Sequence, residues 1–223
     1  MIKKIFNEVV ISLITNISGS TGRKLRYFYY RKKLKKCGTN VAIDEGVVIS
    51  NPSNISIGND VWIDKYSVIV AGKANTIGVI KVKKNKNYHS ADGELIIGNG
   101  VHIGCFNIIQ AHAGISIGDF VTTSAGVKIY SLSNYPYNEQ NPSEITYANC
   151  LVGKDKKVSY IHSPIVIEQG VWIALNCIVV GGTIGKNSFI ASNSIVVNDI
   201  PPNSIAKGNP AVRIKERFLD DKN

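Results

Sequence analysis

The chain has 223 residues, 44% hydrophobic and 19% charged, with 20 glycines and a formal net charge of +10. That is length for one β-rich unit with many tight corners, or one with a small appendage. The charge excludes a uniformly basic surface: residues 1–36 hold ten Lys or Arg against one acid, Glu8, and the other 187 residues nearly balance. The four cysteines (Cys37, Cys105, Cys150, Cys177) form no C-x-x-C. This excludes zinc-ribbon and redox motifs and points to reduced thiols in a cytoplasmic setting.

Ile2, Ile5, Phe6, Val9, Val10, Leu13, Ile14 and Ile17 follow the 3.6 spacing of an amphipathic helix over 2–17. The run is too short, and too broken by Asn7 and Glu8, to cross a bilayer, and it lacks a small-residue cleavage site, so no signal peptide is expected. After a turn at Ser18 to Gly22, the stretch RKLRYFYYRKKLKK sets eight Lys or Arg and four aromatics in fourteen residues. Residues 1–39 therefore read as a basic helical segment capping an open β-helix, whose first coil otherwise leaves unpaired edges. Contact of residues 1–36 with an anionic membrane surface is compatible with that role. Nucleic acid is not expected as a partner, because no nucleic-acid-binding motif accompanies the charge.

From residue 40 onward a period of six appears. Aliphatic residues stand at Ile43 and Ile49, at Ile57, Ile63 and Ile69, and at Ile97, Ile103 and Ile109. The pattern continues through Ile117, Thr123 and Ile129, then Ile167, Ile173 and Val179, and finally Ile184, Ile190 and Val196. Small residues or Val follow four places after many of them (Val171, Cys177, Ser188, Ser194). No helix keeps this period, and no ordinary strand alternates for so long. It predicts a parallel β-helix over 40–210, with coils of about 18 residues stacked at about 4.8 Å. Residues 73–94 and 131–163 break the period as two excursions, and Ala211 to Leu219 read as a short C-terminal helix.

Histidine suits the role of general base because its ordinary pKa lies near working pH. Of the four, His89 reads as a solvated loop residue and His102 as a surface residue. His112 falls in an eight-residue step, Ile109 to Ile117, where two extra residues bulge the corner and push a side chain outward. Asn107 occupies a small, inward-tending place, so its amide needs internal partners or a cleft.

The motifs "VWIALN", "IGKNSFIASNSIVV" and "DIPPNSIAKGNPAVRIK" resemble the closing coils of the hexapeptide-repeat acyltransferases, which have a left-handed parallel β-helix. The resemblance runs from about Asn40 to Phe218. It implies transfer of acetyl, or another short acyl group, from acetyl-CoA as cosubstrate to a hydroxyl or amine. It also implies homotrimers with sites between subunits. A metal is not implied, since the H-x-x-x-x-H pair of the fold's metal-dependent members is missing. "AHAGISIG" is similar to the histidine segment of the serine-acetyltransferase branch, which makes His112 the candidate catalytic base. His162, in "IHSPIVI", matches that branch's second histidine. Ala111 stands where the branch has an acid. Sugar and xenobiotic acetyltransferases carry their histidine where this chain has Asn134 or Tyr135. These two residues then shape the acceptor site beside His112, or else transfer activity is lost. Galactoside-type members place an acceptor-contacting asparagine near Asn107; the alternative is an asparagine that turns its own corner. For the carrier, the resemblance implies backbone contacts at Ala174, Leu175, Ala191 and Ser192, with Lys207, Arg213 and Lys215 near the phosphates.

The resulting expectation is a cytoplasmic O-acetyltransferase acting on a sugar of a bacterial surface polysaccharide (LPS, capsule or exopolysaccharide). Two alternatives stay open: an N-acyltransferase of amino sugars or a serine-acetyltransferase-like enzyme, and a silent β-helix that serves assembly.

Overall fold

A computed structural model describes residues 2–74, 80–82, 89–135, 141, 143 and 159–218, with backbone only at 2–7 and 80–82. The helices α1 (Ile2–Thr15) and α2 (Gly19–Arg31) come first. The first turn of the β-helix follows as β1 (Lys36–Cys37), β2 (Ala42–Ile43) and β3 (Val48–Ser50). After a 3-10 turn at Pro52–Asn54, the second turn is β4 (Ile55–Ile57), β5 (Trp62–Ile63) and β6 (Val68–Val70). The first excursion contains β7 (Ile80–Val82). The third turn is β8 (Leu95–Ile97), β9 (His102–Ile103) and β10 (Ile108–Gln110). The fourth is β11 (Ile115–Ile117), β12 (Thr122–Thr123) and β13 (Lys128–Tyr130). The second excursion contributes β14 (Leu132–Tyr135) and β15 (Ser159–His162). The fifth turn is β16 (Ile165–Ile167), β17 (Trp172–Ile173) and β18 (Ile178–Val179), and the sixth is β19 (Gly182–Ile184), β20 (Phe189–Ile190) and β21 (Ile195–Val196). The strands β22 (Ser204–Gly208) and β23 (Ala211–Glu216) close the end.

The first, second and third strands of successive turns make three sheets, called A, B and C, and the strands within each turn-to-turn stack are parallel. The six-residue period works because each inward side chain rests on its equivalent in the next turn. Ile43 stacks on Ile63, Ile63 on Ile103, and Ile103 on Thr123. In sheet C the column runs Ile49, Ile69, Ile109, Ile129 and Val179. These columns are buried throughout and form one core inside the prism. Their flat β-branched side chains suit such a pleated, closely stacked wall. Ile97 lies over Ile117, twenty residues on, whereas Ile167 lies over Ile184, seventeen on. The surplus over eighteen sits at the corner between sheets C and A, so that edge is the irregular one.

At the other two corners one residue per turn takes a left-handed conformation. Asn serves at Asn40, Asn176, Asn187, Asn193 and Asn203, as its short side chain allows. Tyr66, Phe106 and Phe120 are bulky exceptions, at φ 59, 59 and 57°. Tyr66 leans over Gly46 of the turn before, where a Cβ would lie 2.2 Å from the ring. Tyr66 and Phe106 stack with centroids 5.6 Å apart.

The front end caps the first turn. Gly22, Arg26 and Tyr30 form the buried face of α2, against β1 and β2. Arg26 is 1% exposed; its Nε donates to Ile43 O at 2.7 Å and its Nη1 to Ile14 O at 2.7 Å and Ile17 O at 2.8 Å. One guanidinium thus satisfies carbonyls that the end of α1 leaves open. Burial lowers its pKa, yet Arg stays charged. Among the described residues no helix is long and apolar enough to cross a membrane.

The expected C-terminal helix is corrected. Ala211–Glu216 is a strand, antiparallel to β22, with a register shift at Ile205/Ala206. Its alternation of Val212 and Ile214 with Arg213 and Lys215 has a period of two, and the last edge of sheet B offers open hydrogen-bonding groups that a helix would not cover.

Candidate active site

Both excursions leave and return at the corner between sheets C and A, one turn before and one turn after the corner that carries His112. Their strands meet there: β15 pairs antiparallel with β14 and parallel with β7, in a small sheet of its own. His112 is therefore flanked from both sides by the two irregular segments.

The corner itself is well held. Ala111 and Ala113 are fully buried, so of the three residues only the imidazole faces outward. Gly114 N donates to Ala111 O at 2.9 Å, Ala113 N to Ser131 Oγ at 2.9 Å, and Ser131 Oγ to Gln110 O at 3.0 Å. His112 Nδ1 lies 2.6 Å from Gly72 O. A carbonyl only accepts, so Nδ1 carries the proton and Nε2 keeps its lone pair. That tautomer leaves the outer nitrogen able to take a proton from an acceptor. Gly72 is fixed in turn: its N–H donates to Gly93 O at 2.7 Å, and its φ of 92° favours glycine.

His162 is built differently. Its Nε2 lies 3.1 Å from Asp92 Oδ1, while its Nδ1 is buried without a partner among the described residues. The ring ties β15 to the end of the first excursion. Asp92 adjoins Gly93, so the partners of the two imidazoles are linked through the Gly72–Gly93 backbone bond. Asn134 and Tyr135 lie on the same edge, on β14, opposite Tyr160 and Ser159; Asn134 is exposed and Tyr135 half-buried.

Asn107 is not part of this edge, and its proposed contact with an acceptor is corrected. It is 1% exposed inside the prism, with Nδ2 donating to Thr123 Oγ1 at 2.6 Å and Oδ1 accepting from Val127 N at 2.6 Å. Nor does it turn its own corner: both bonds reach the next turn of the coil. His102 is more than a surface residue. Its Nε2 lies 3.0 Å from Asp64 Oδ2 and its ring stacks on Trp62 at 5.2 Å. His89 is exposed.

The carrier candidates occupy another edge. Ala174 and Leu175 follow β17, and Ala191 and Ser192 follow β20, so they stack at the corner between sheets B and C. Ala174 is buried and Leu175 is half exposed. Lys207, Arg213 and Lys215 are exposed on the closing β22–β23 pair, where Arg213 Nη2 donates to Glu216 Oε1 at 2.8 Å. Within one protomer His112 and these residues thus stand at different edges of the triangle. Sequence reasoning missed Gly72 and Asp92, the partners of the two imidazoles. They lie 40 and 70 residues away in the chain, and only the glycine and the Asp92-Gly93 turn pattern hinted at a special backbone there.

Fold and corner together define a hexapeptide-repeat β-helix protein with a candidate general base on one edge. The sequence is 30% identical over 190 residues to the dTDP-4-amino-4,6-dideoxy-D-glucose acyltransferase of Escherichia coli, covering 82% of each chain. The chain belongs to the hexapeptide-repeat acyltransferases. It is 33% identical over 126 residues to the galactoside O-acetyltransferase of E. coli K12, covering 53% of this chain and 55% of that one. Several other curated acetyltransferases match over 54 to 58 residues, 26 to 32% of their own length. The N-acyltransferase AntD of Bacillus cereus, solved with dTDP and 3-hydroxybutyryl-CoA, shares the fold with a TM-score of 0.66 at 19% identity over 91% of both chains. No family model matches the sequence.

Proposed function

We propose that the protein transfers an acyl group, acetyl in the first instance, from acyl-coenzyme A to a sugar hydroxyl, in the cytoplasm and in the service of surface-polysaccharide synthesis. The observation that carries this reading is the bond from His112 Nδ1 to Gly72 O, which in the neutral imidazole keeps the lone pair on Nε2. A hydroxyl needs such a base far more than a neutral amine does. In the proposed step Nε2 takes the hydroxyl proton as the oxygen attacks the thioester carbonyl. Backbone N–H groups steady the oxyanion. The tetrahedral intermediate then collapses, the C–S bond breaks, and the imidazolium returns its proton to the leaving thiolate.

The two edges come together only between protomers. A homotrimer supplies this if the sheet B–C corner of one subunit, with Ala174, Leu175, Ala191 and Ser192, faces the His112 edge of its neighbour. Lys207, Arg213 and Lys215 then hold the carrier phosphates. Asn134, Tyr135 and His162 shape the acceptor side.

A second reading, transfer to the amine of a nucleotide-linked amino sugar, is favoured by the named activity of the E. coli relative that covers 82% of the chain. One experiment separates them: thiol release from acetyl-coenzyme A with matched hydroxyl and amino forms of a panel of free and nucleotide-linked sugars. Faster release with hydroxyl acceptors upholds the first reading. Release with amines alone replaces it by the second, and no release with any acceptor leaves a silent β-helix.

A further inference from the structure

The fold covers only part of the apolar surface of its front end. On α1, Ile11 packs against the first turn, whereas Val9 and Leu13, at i and i+4, are 53% and 65% exposed, and Ile17, just past the end of the helix, is 37% exposed. On α2, outside the buried face of Gly22, Arg26 and Tyr30, Leu25 on its flank and Phe28 opposite it are 40% and 58% exposed, among Lys24, Arg31 and the C-cap Lys32. Three other cations of this region already have partners: Arg26 in backbone carbonyls, Arg23 in Asp44 and Lys35 in Glu94. Lys24, Arg31 and Lys32 have no carboxylate partner among the described residues.

We propose that α1 and α2 dock the prism, first turn foremost, on the surface of an anionic phospholipid bilayer. Leu13, Leu25 and Phe28 would enter the boundary between headgroups and chains, with the flanking cations at the level of the phosphates. Neither feature alone selects this partner; their combination does. Nucleic acid offers the phosphates but no apolar phase for Val9 and Leu13. A second copy of the chain offers apolar surface but brings the same excess of positive charge, ten Lys or Arg against one acid over residues 1–36, into self-contact. The inference goes beyond the transfer reaction and does not depend on it.

The test is flotation of the full chain with vesicles of phosphatidylcholine, alone or mixed with phosphatidylglycerol. The chain is expected to float with the anionic vesicles, and less so as salt is raised. Lys24→Glu with Lys32→Glu should lower the partition coefficient at least about tenfold, as should Leu13→Ser with Phe28→Ser, while both variants keep the wild-type oligomeric state and thiol release. Failure of the full chain to float, or equal flotation of the variants, overturns the proposal. So does a change of oligomeric state in the serine variant, which would make this face a contact between copies. Tighter binding to duplex RNA than to anionic vesicles would overturn it as well.

Discussion

The edge between sheets B and C and the edge between sheets C and A are built from the same repeat and behave differently. The first keeps one left-handed residue per turn, from Gly46 and Tyr66 through Phe106 and Gly126 to Asn176 and Asn193, and no excursion leaves it. The second takes extra residues, releases both excursions and carries His112. Inward side chains stack so closely that an added residue anywhere along a strand would shift every later column off its partner. A corner can absorb two residues by bulging outward. Irregularity, and with it the candidate base His112, therefore collects at one edge, while the regular edge offers a straight backbone wall.

The sharpest way to break that contrast is His112→Ala. Turnover should fall by about 10²-fold or more, with carrier affinity retained and stability lowered by only about 1 kcal/mol for the lost Gly72 bond. Steady-state kinetics with a carrier titration check this; unchanged turnover removes His112 from the mechanism. The interior is expected to respond in the opposite sense. Asn107→Ala leaves Val127 N–H and Thr123 Oγ1 without their buried partner and should cost about 1–3 kcal/mol, with the acceptor KM unaltered. Denaturant titration beside acceptor kinetics would show it, and a raised KM without loss of stability would return Asn107 to the acceptor site.

The smallest effect concerns the join between the irregular edge and the front end. The hydrogen bond from Lys35, then the Ala91 N–H, holds the Glu94 carboxyl below its usual range. A group whose folded pKa is depressed stabilises above its unfolded value, about 4.3, and that contribution is lost as pH falls through the folded value. Glu94→Gln should therefore lower stability at neutral pH by no more than about 1 kcal/mol and converge with wild type in acid. Parallel melting curves that never converge would argue against the ion pair as the cause.

The period of six and its inward columns were legible in the residues, because stacked turns repeat one environment and that environment selects one residue type. The bulged step around His112 was legible for the same reason, as a count that did not fit. What the residues could not disclose was which groups meet across the stack. The role of Asn107 depended on Thr123 and Val127 in the next turn, the tautomer of His112 on a carbonyl 40 residues away, and the direction of Ala211–Glu216 on the open edge of β22. The exposure of Phe28 likewise followed from Arg26 and Tyr30 claiming the inner face of α2. Local pattern chooses the element, but partners are chosen by distance in space, and in a stacked coil those partners stand whole turns apart in the chain.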